Sequence, residues 1–183
     1  MLAAARVERR SDLVADIERG IAALEEFNLT YDILIFPRHL PAASEFVQRF
    51  PEQRFVLDHL AKPFIKAQTV EPWASHIGRL AKFPNVFCKL SGMVTEADWK
   101  NWNAEHFRPY VETALQAFGP DRLMIGSDWP VCKVAGSYSQ VMALVMEFMK
   151  GYSTDAIEKV LGATAQKFWR LPRRLLPSSS ADS

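Results

Sequence analysis

Four short apolar runs alternate with amphipathic helical patterns along this chain. The runs cover residues 31–36, 54–59, 85–90 and 122–127. Runs that are apolar at successive positions are typical of strands buried on both faces, such as parallel strands covered by helices. The alternation therefore predicts an α/β domain with a parallel sheet. Periodicity alone leaves open whether that sheet is doubly wound or forms part of a barrel.

Apolar stripes with a period of 3.6 residues predict the helices around these runs. The first stripe is Leu13, Ile17, Ile21 and Leu24, with Ser11 as its N-cap. Pro41 and Pro72 begin the next two predicted helices, and Gly119 and Gly151 end the two after those. Two short helical segments follow, at residues 154–161 and 163–170.

The bulk composition narrows the class of protein. The chain has 183 residues, of which 49% are hydrophobic and 23% charged, and its formal net charge is +1. This indicates one globular domain over residues 1–172 and gives no sign of nucleic-acid binding. No apolar stretch approaches the ~20 residues of a membrane span, and residues 1–10 lack the apolar core of a signal peptide. The segment 173–183 is rich in serine and predicts a disordered tail.

Polar side chains gather where three of the four runs end. The segments are DHLAKP at 58–63, KLSG at 89–92 and GSDWP at 126–130. In open and closed parallel sheets alike, chemistry gathers at the carboxyl ends of the strands. A lone strand-end histidine is usually a structural group, but several polar residues at equivalent ends favour a functional site. We therefore expect His59, Lys89 and Asp128 to lie near one another at one edge of the sheet.

The same segments carry a family resemblance. FVLDHLAKP at 55–63, KLSG at 89–92 and RLMIGSDWP at 122–130 resemble three signature strands of the amidohydrolase-related lactonases. That family includes fuconolactonase-like enzymes and the 2-pyrone-4,6-dicarboxylate lactonase. The resemblance runs from about residue 11 to 172. It implies that the GSDWP strand is the eighth of a (β/α)8 TIM-type barrel, so that the four runs are strands five to eight.

The chain departs from the family pattern in one respect. Members of the family open with a strand that bears a His-x-His pair, followed by three more strands. The four histidines here are scattered, at His39, His59, His76 and His106. The resemblance therefore implies a partial barrel whose front half is missing, with four strands in an arc and helices on one side.

Hydrolysis of a lactone needs a base that activates water and a group that stabilises charge on the carbonyl oxygen. Asp128 is the candidate base, and the resemblance assigns the catalytic aspartate to the same position. His59 would polarise the carbonyl or, with Asp128, help to hold a divalent metal such as zinc. Members of the family differ in whether they use a metal. Two ligands bind such an ion weakly, so we expect no tightly held metal.

Five further residues are candidates for contact with substrate. Lys62 and Lys89 could bind a carboxylate or hydroxyl groups, although an exposed lysine often only solvates a surface. Ser91 and Trp129 could line the pocket, and packing or turn chemistry is as good an interpretation. His39 is a weaker candidate. His76, His106, Cys88 and Cys132 receive no functional role, and the cysteines are expected to be reduced thiols in a cytoplasmic protein.

The sequence thus predicts a hydrolase of carbohydrate metabolism that opens a sugar-type or dicarboxylate lactone, a small-molecule substrate. Two alternatives stay open. One is an amidohydrolase-related decarboxylase, which shares the barrel and the strand-eight aspartate. The other is an inactive truncated fragment without the His-x-His strand, whose open sheet edges would favour self-association. No nucleic-acid or membrane partner is expected.

Overall fold

Four parallel strands form the centre of the protein. The computed structural model describes residues 16–172. The strands are β1 (Tyr31–Ile33), β2 (Phe55–Leu57), β3 (Val86–Leu90) and β4 (Leu123–Ile125). They form one sheet in sequence order, and every neighbouring pair is parallel. The predicted α/β class with a parallel sheet is confirmed.

The strands are shorter than the apolar runs that predict them. After β1 the chain turns into a 3₁₀ helix at Pro37–His39, and after β2 it turns at once into another at Asp58–Ala61. In both runs the last residues leave the sheet to build the turn that follows. Asp58, His59 and Asp128 are therefore on turns and loops beyond the sheet edge, whereas Lys89 lies within β3.

Helices α1 to α5 pack against one face of the sheet. Helix α1 is described over residues 16–26, and Ile21 is its buried contact with the core, whereas Ile17 is exposed. Ser11 and Leu13, which the sequence assigns to this helix, lie outside the described residues, as does the predicted tail. The other bounds are α2 Leu40–Gln48, α3 Trp73–Leu80, α4 Arg108–Phe118 and α5 Tyr138–Phe148. Their buried residues and those of alternate strand positions, such as Phe55 and Leu57, form the main core.

The chain ends its described course on the other face of the sheet. Helix α6 (Thr154–Glu158) continues through a π-helical turn, Lys159–Ala163, into α7 (Thr164–Trp169). Phe168 of α7 is buried against Val56, Phe87 and Met124, one residue from each of the three later strands. The expectation of helices on one side only is therefore wrong. The strands carry apolar residues on both faces of the sheet, so apolar helices are needed to cover each face.

Within residues 16–172, β1 and β4 each have one neighbouring strand, so each leaves one edge without a strand partner in this part of the chain. Among the helices that the structure describes, none combines the length and apolar character needed to cross a membrane.

Candidate active site

His59 and Asp128 face each other at the carboxyl edge of the sheet. The distance from His59 Nε2 to Asp128 Oδ1 is 3.7 Å, and both side chains are mostly buried, with 20% and 15% of their surface exposed. His59 follows β2 and Asp128 follows β4, so the two come from strands that are separated by β3. A partly buried carboxylate beside an imidazole, open to solvent on one side, can take up and return a proton.

An unusual backbone turn presents His59. The four consecutive residues His59, Leu60, Ala61 and Lys62 have φ between +53° and +58°, in the left-handed region. For residues with a Cβ this conformation costs roughly 1–2 kcal/mol per residue, so a run of four persists only where the surroundings hold it. Lys62 N donates to His59 O at 2.7 Å and closes the turn. Strain of this kind clusters at functional sites.

Ser91 and Gly92 lie directly behind the His59 ring. Ser91 Oγ is 2.8 Å from His59 Nδ1, and Ser91 is only 2% exposed. Gly92 has φ +63°, and a Cβ at this position would come within 2.7 Å of the imidazole. The KLSG segment therefore orients the ring and leaves Nε2 directed towards Asp128. The sequence suggests that Ser91 contacts substrate, but its burial against His59 favours an orienting role instead.

Lys89 lies on β3, between the strands that precede His59 and Asp128, and is held by two other carboxylates. Its Nζ is 2.7 Å from Asp32 Oδ2 and 2.7 Å from Asp58 Oδ1, and it lies 5.2 Å from the centre of the Trp169 ring. Burial opposes the charge on the ammonium, but hydrogen bonds to Asp32 and Asp58 outweigh it and raise the pKa of Lys89. Lys89 is thus a fixed cation between two acids and contacts Asp58, the residue that precedes His59.

Replacing Lys89 by methionine should destabilise the protein. The Asp58 side chain is only 14% exposed, and the change leaves it without its cation. Breaking a well-buried ion pair costs about 3–5 kcal/mol, and partial hydration here suggests about 3 kcal/mol, or roughly 6–12 °C in Tm. Thermal unfolding of the two proteins measures this difference in Tm.

The stability that Lys89 contributes should also depend on pH. Because the pKa of Lys89 is raised in the folded protein, its contribution is complete at neutral pH and is lost only as the pH rises above 10.5.

A matched control for this change is available on the surface. Lys159 also lies between two aspartates, Asp121 at 3.0 Å and Asp155 at 2.7 Å, but both carboxylates are mostly exposed. Lys159→Met should leave Tm nearly unchanged, because exposed ion pairs contribute little. Adding Asp58→Asn to Lys89→Met should recover part of the stability. Equal effects of the two lysine changes would contradict the view that Lys89 neutralises a buried acid.

Lys62 also forms an ion pair, with an acid on the loop that follows β3. Its Nζ donates to Glu96 Oε1 at 3.0 Å and lies 6.0 Å from the centre of the Phe36 ring. The side chain is 26% exposed. Lys62 therefore joins the turn after β2 to the loop after β3, and it is neither a freely solvated surface lysine nor an unpaired cation.

The other predicted residues lie at more exposed positions. His39 is on the 3₁₀ turn after β1, where Nδ1 accepts from Phe36 N at 3.3 Å and Arg38 Nε lies 3.2 Å from Nε2. Trp129 follows Asp128 directly and is 63% exposed. His76 lies on α3, and His106 ends a 3₁₀ helix just before α4. Cys88 and Cys132 are buried free thiols, and burial raises the pKa of Cys88 far above its ordinary value.

Sequence reasoning missed four residues of this edge: Asp32, Asp58, Glu96 and Trp169. Asp32 and Asp58 carried a usable signal, because an acid inside an otherwise apolar strand pattern requires a partner. Glu96 and Trp169 had none, since only the folded loops bring them to the lysines. Within residues 16–172 no three His, Cys, Asp or Glu side chains lie close enough together to hold a metal ion. His59 and Asp128 could supply two ligands to one.

Comparison with known protein families adds to this geometry. Residues 4–171 match the family described as Amidohydrolase. The chain belongs to the amidohydrolase family. It is 41% identical over 168 residues to an L-fucono-1,5-lactonase of Burkholderia multivorans, a match that covers 86% of this chain and 57% of that protein. An L-fucono-1,5-lactonase of Burkholderia ambifaria is 39% identical, with 86% and 55% covered. The chain thus spans somewhat more than half the length of these relatives.

Solved structures of the family share the fold. An amidohydrolase of Burkholderia multivorans, solved with bound zinc, superposes with a TM-score of 0.83 at 40% identity and covers 86% of this chain and 58% of that one. A 2-pyrone-4,6-dicarboxylic acid hydrolase of Pseudomonas putida, described as putative, gives 0.67 at 19% identity, with 82% and 55% covered. The second likeness bears on the fold alone. The family that the three strand-end segments suggest is confirmed.

Proposed function

We propose that this protein contributes the base side of a lactone-hydrolysing site. The observation that carries the proposal is the juxtaposition of His59 and Asp128, 3.7 Å apart, in a chain 41% identical to an L-fucono-1,5-lactonase. The decarboxylase alternative has weaker support, because both relatives near 40% identity bear the lactonase name.

In the proposed reaction, Asp128 removes a proton from a water molecule as its oxygen attacks the lactone carbonyl. His59 donates a hydrogen bond towards the carbonyl oxygen, which gains charge as the tetrahedral intermediate forms. The ring C–O bond then breaks, and Asp128 returns its proton to the leaving alkoxide. The product is the open-chain hydroxy acid. Ser91 holds the imidazole at Nδ1 so that Nε2 faces the reacting atoms.

The four strands correspond, in this proposal, to strands five to eight of an eight-stranded barrel. Helix α7, with Phe168 buried on the second face, would then form part of the floor of the barrel. Such a barrel would continue at the edges of β1 and β4 that have no strand partner within residues 16–172. Association of the chain with itself through those edges stays a prediction.

A divalent metal fits His59 and Asp128 as two of its ligands. Ligand atoms that lie 2.0–2.2 Å from zinc can be 3.7 Å apart, and the contact of His59 Nδ1 with Ser91 is typical of a histidine ligand. The similar amidohydrolase of Burkholderia multivorans was solved with zinc. When bound, the ion would supply an electrophile for the carbonyl oxygen. Catalytic zinc sites usually have three protein ligands, so the site would need another beyond this pair.

The charges at this edge favour a neutral sugar lactone over a dicarboxylate lactone. Each nearby lysine is already neutralised, Lys62 by Glu96 and Lys89 by Asp32 and Asp58. A substrate carboxylate would have to displace one of these acids and would meet Asp128 as well. Carboxylates and ammonium groups that are paired in this way can still exchange hydrogen bonds with sugar hydroxyls. The exposed indole of Trp129 offers a face for a sugar ring.

The test uses the chain joined to the part of the Burkholderia multivorans relative that lies outside the matched segment, called the joined protein below. Proton release at constant pH is followed with L-fucono-1,5-lactone, a second neutral aldonolactone and 2-pyrone-4,6-dicarboxylate, with and without zinc. We expect turnover of the neutral lactones and at least tenfold lower kcat/KM for the dicarboxylate. Preference for the dicarboxylate would contradict the charge argument. Carbon dioxide release without lactone hydrolysis would support the decarboxylase instead.

A further inference from the structure

The indole of Trp73 holds the left-handed turn that carries His59. Trp73 is the first residue of α3 and is only 1% exposed. Its Nε1 donates to Leu60 O at 2.7 Å, which is the carbonyl of the residue directly after His59. An indole N–H buried at the helix start and aimed at one backbone carbonyl fixes the position of that peptide group.

A second aromatic residue supports the same segment. The Tyr110 ring packs against Trp73 with centroids 5.3 Å apart, and its hydroxyl donates to Phe64 O at 3.2 Å. Two packed side chains from α3 and α4 thus bind carbonyls at two points along residues 60–64. Apart from the hydrogen bond from Lys62 N to His59 O, the segment has little local support, because positive φ is unfavourable for Leu60 and Ala61. The restraint therefore comes from the helices behind it.

We propose that Trp73 is a positioning residue: its hydrogen bond to Leu60 O maintains the left-handed turn that aims His59 at Ser91 and Asp128. Gly92 limits the ring from the other side, since a Cβ there would lie 2.7 Å from it. The hydrogen bond from Trp73 thus fixes the backbone next to His59, and Gly92 leaves room for the His59 ring and limits its position on the other side. The inference rests on the proposed function only where catalysis is measured. The geometry of His59 can be tested without it.

The variant to make is Trp73→Phe, which keeps an aromatic ring and removes the N–H. The matched control is Trp102→Phe, because Trp102 Nε1 also donates to a backbone carbonyl at 2.7 Å, that of Ala135 on another loop. In the 183-residue chain, NMR of the imidazole nitrogens should show that the His59–Ser91 hydrogen bond breaks in Trp73→Phe and persists in Trp102→Phe. In the joined protein, kcat should fall about ten- to a hundredfold in Trp73→Phe with KM nearly unchanged.

A rescue separates positioning from simple packing. Glycine adopts the left-handed region at no steric cost, so Ala61→Gly should make the turn less dependent on its restraint. Added to Trp73→Phe, it should restore the His59–Ser91 hydrogen bond and at least part of kcat. If Trp73 serves only to fill the core, Ala61→Gly will restore neither. That outcome would overturn the proposal, as would unchanged His59 signals in Trp73→Phe.

The wild-type chain provides a measurement that does not depend on the variants folding. The indole N–H of Trp73 should exchange with deuterium far more slowly than that of Trp99, whose residue is 55% exposed. Equally fast exchange of the two would overturn the proposal. If the joined protein hydrolyses no lactone while the His59–Ser91 hydrogen bond responds to Trp73→Phe, the proposed function fails and the positioning role stands.

Discussion

Asp128→Asn should reduce lactone hydrolysis by the joined protein by about a hundred- to ten-thousandfold. The asparagine amide cannot take a proton from water, so the general base is removed, and proton transfer by a positioned side chain contributes about 10²–10⁴-fold. The effect should be in kcat more than in KM, because the carboxylate acts on the water and not on the bound sugar. Initial rates over a range of L-fucono-1,5-lactone concentrations measure both.

Asparagine should replace Asp128 without disturbing the backbone at this position. Asp128 has φ +55°, and asparagine tolerates the left-handed region as readily as aspartate does. The backbone hydrogen bond that Cys132 N donates to Asp128 O, 2.9 Å long, does not depend on the charge of the Asp128 side chain. The control is Asp32→Asn, which removes a carboxylate of the same edge that is paired with Lys89. We expect at most a tenfold decrease there. A larger decrease for Asp32→Asn than for Asp128→Asn would move the base to Asp32.

The strand order and the meeting of His59 with Asp128 were predictable for the same reason. Buried apolar runs separated by helical stripes leave few arrangements other than a parallel sheet, and the carboxyl ends of parallel strands share one edge. Residues that follow different strands then lie at the same edge, where their side chains can approach each other. What the pattern did not predict is the left-handed turn at 59–62, because leucine and alanine carry no preference for positive φ.

The roles of the lysines depended on partners that are distant in sequence. Glu96 is 34 residues from Lys62, and Asp32 is 57 residues from Lys89, so no local pattern links them. For a similar reason, the sequence could not predict which face of the sheet α7 covers. Its stripe predicts a helix with one apolar face, but β2, β3 and β4 are apolar on both faces and could accept it on either. Packing of the complete core decides between the two.

The second large effect concerns the chain in isolation. The curated relatives are longer than the segment that matches them, and within residues 16–172 no three His, Cys, Asp or Glu side chains are grouped so that they could hold a metal ion. A complete barrel surrounds its substrate with loops from eight strands, whereas four strands are described here. Removal of a single charge-stabilising donor typically costs about 10²–10³ in rate. We expect a polypeptide of these 183 residues alone to hydrolyse lactones at close to the uncatalysed rate.

The most direct test of the central claim compares the rate of L-fucono-1,5-lactone hydrolysis by the 183-residue polypeptide with that of the joined protein at equal concentration. The claim is that these strands carry the base side of a site completed by the rest of a barrel. It predicts a rate near background for the polypeptide alone and at least about a thousandfold more for the joined protein, abolished again by Asp128→Asn. Robust turnover by the short polypeptide alone that disappears on Asp128→Asn would contradict it, as would a folded joined protein with no activity.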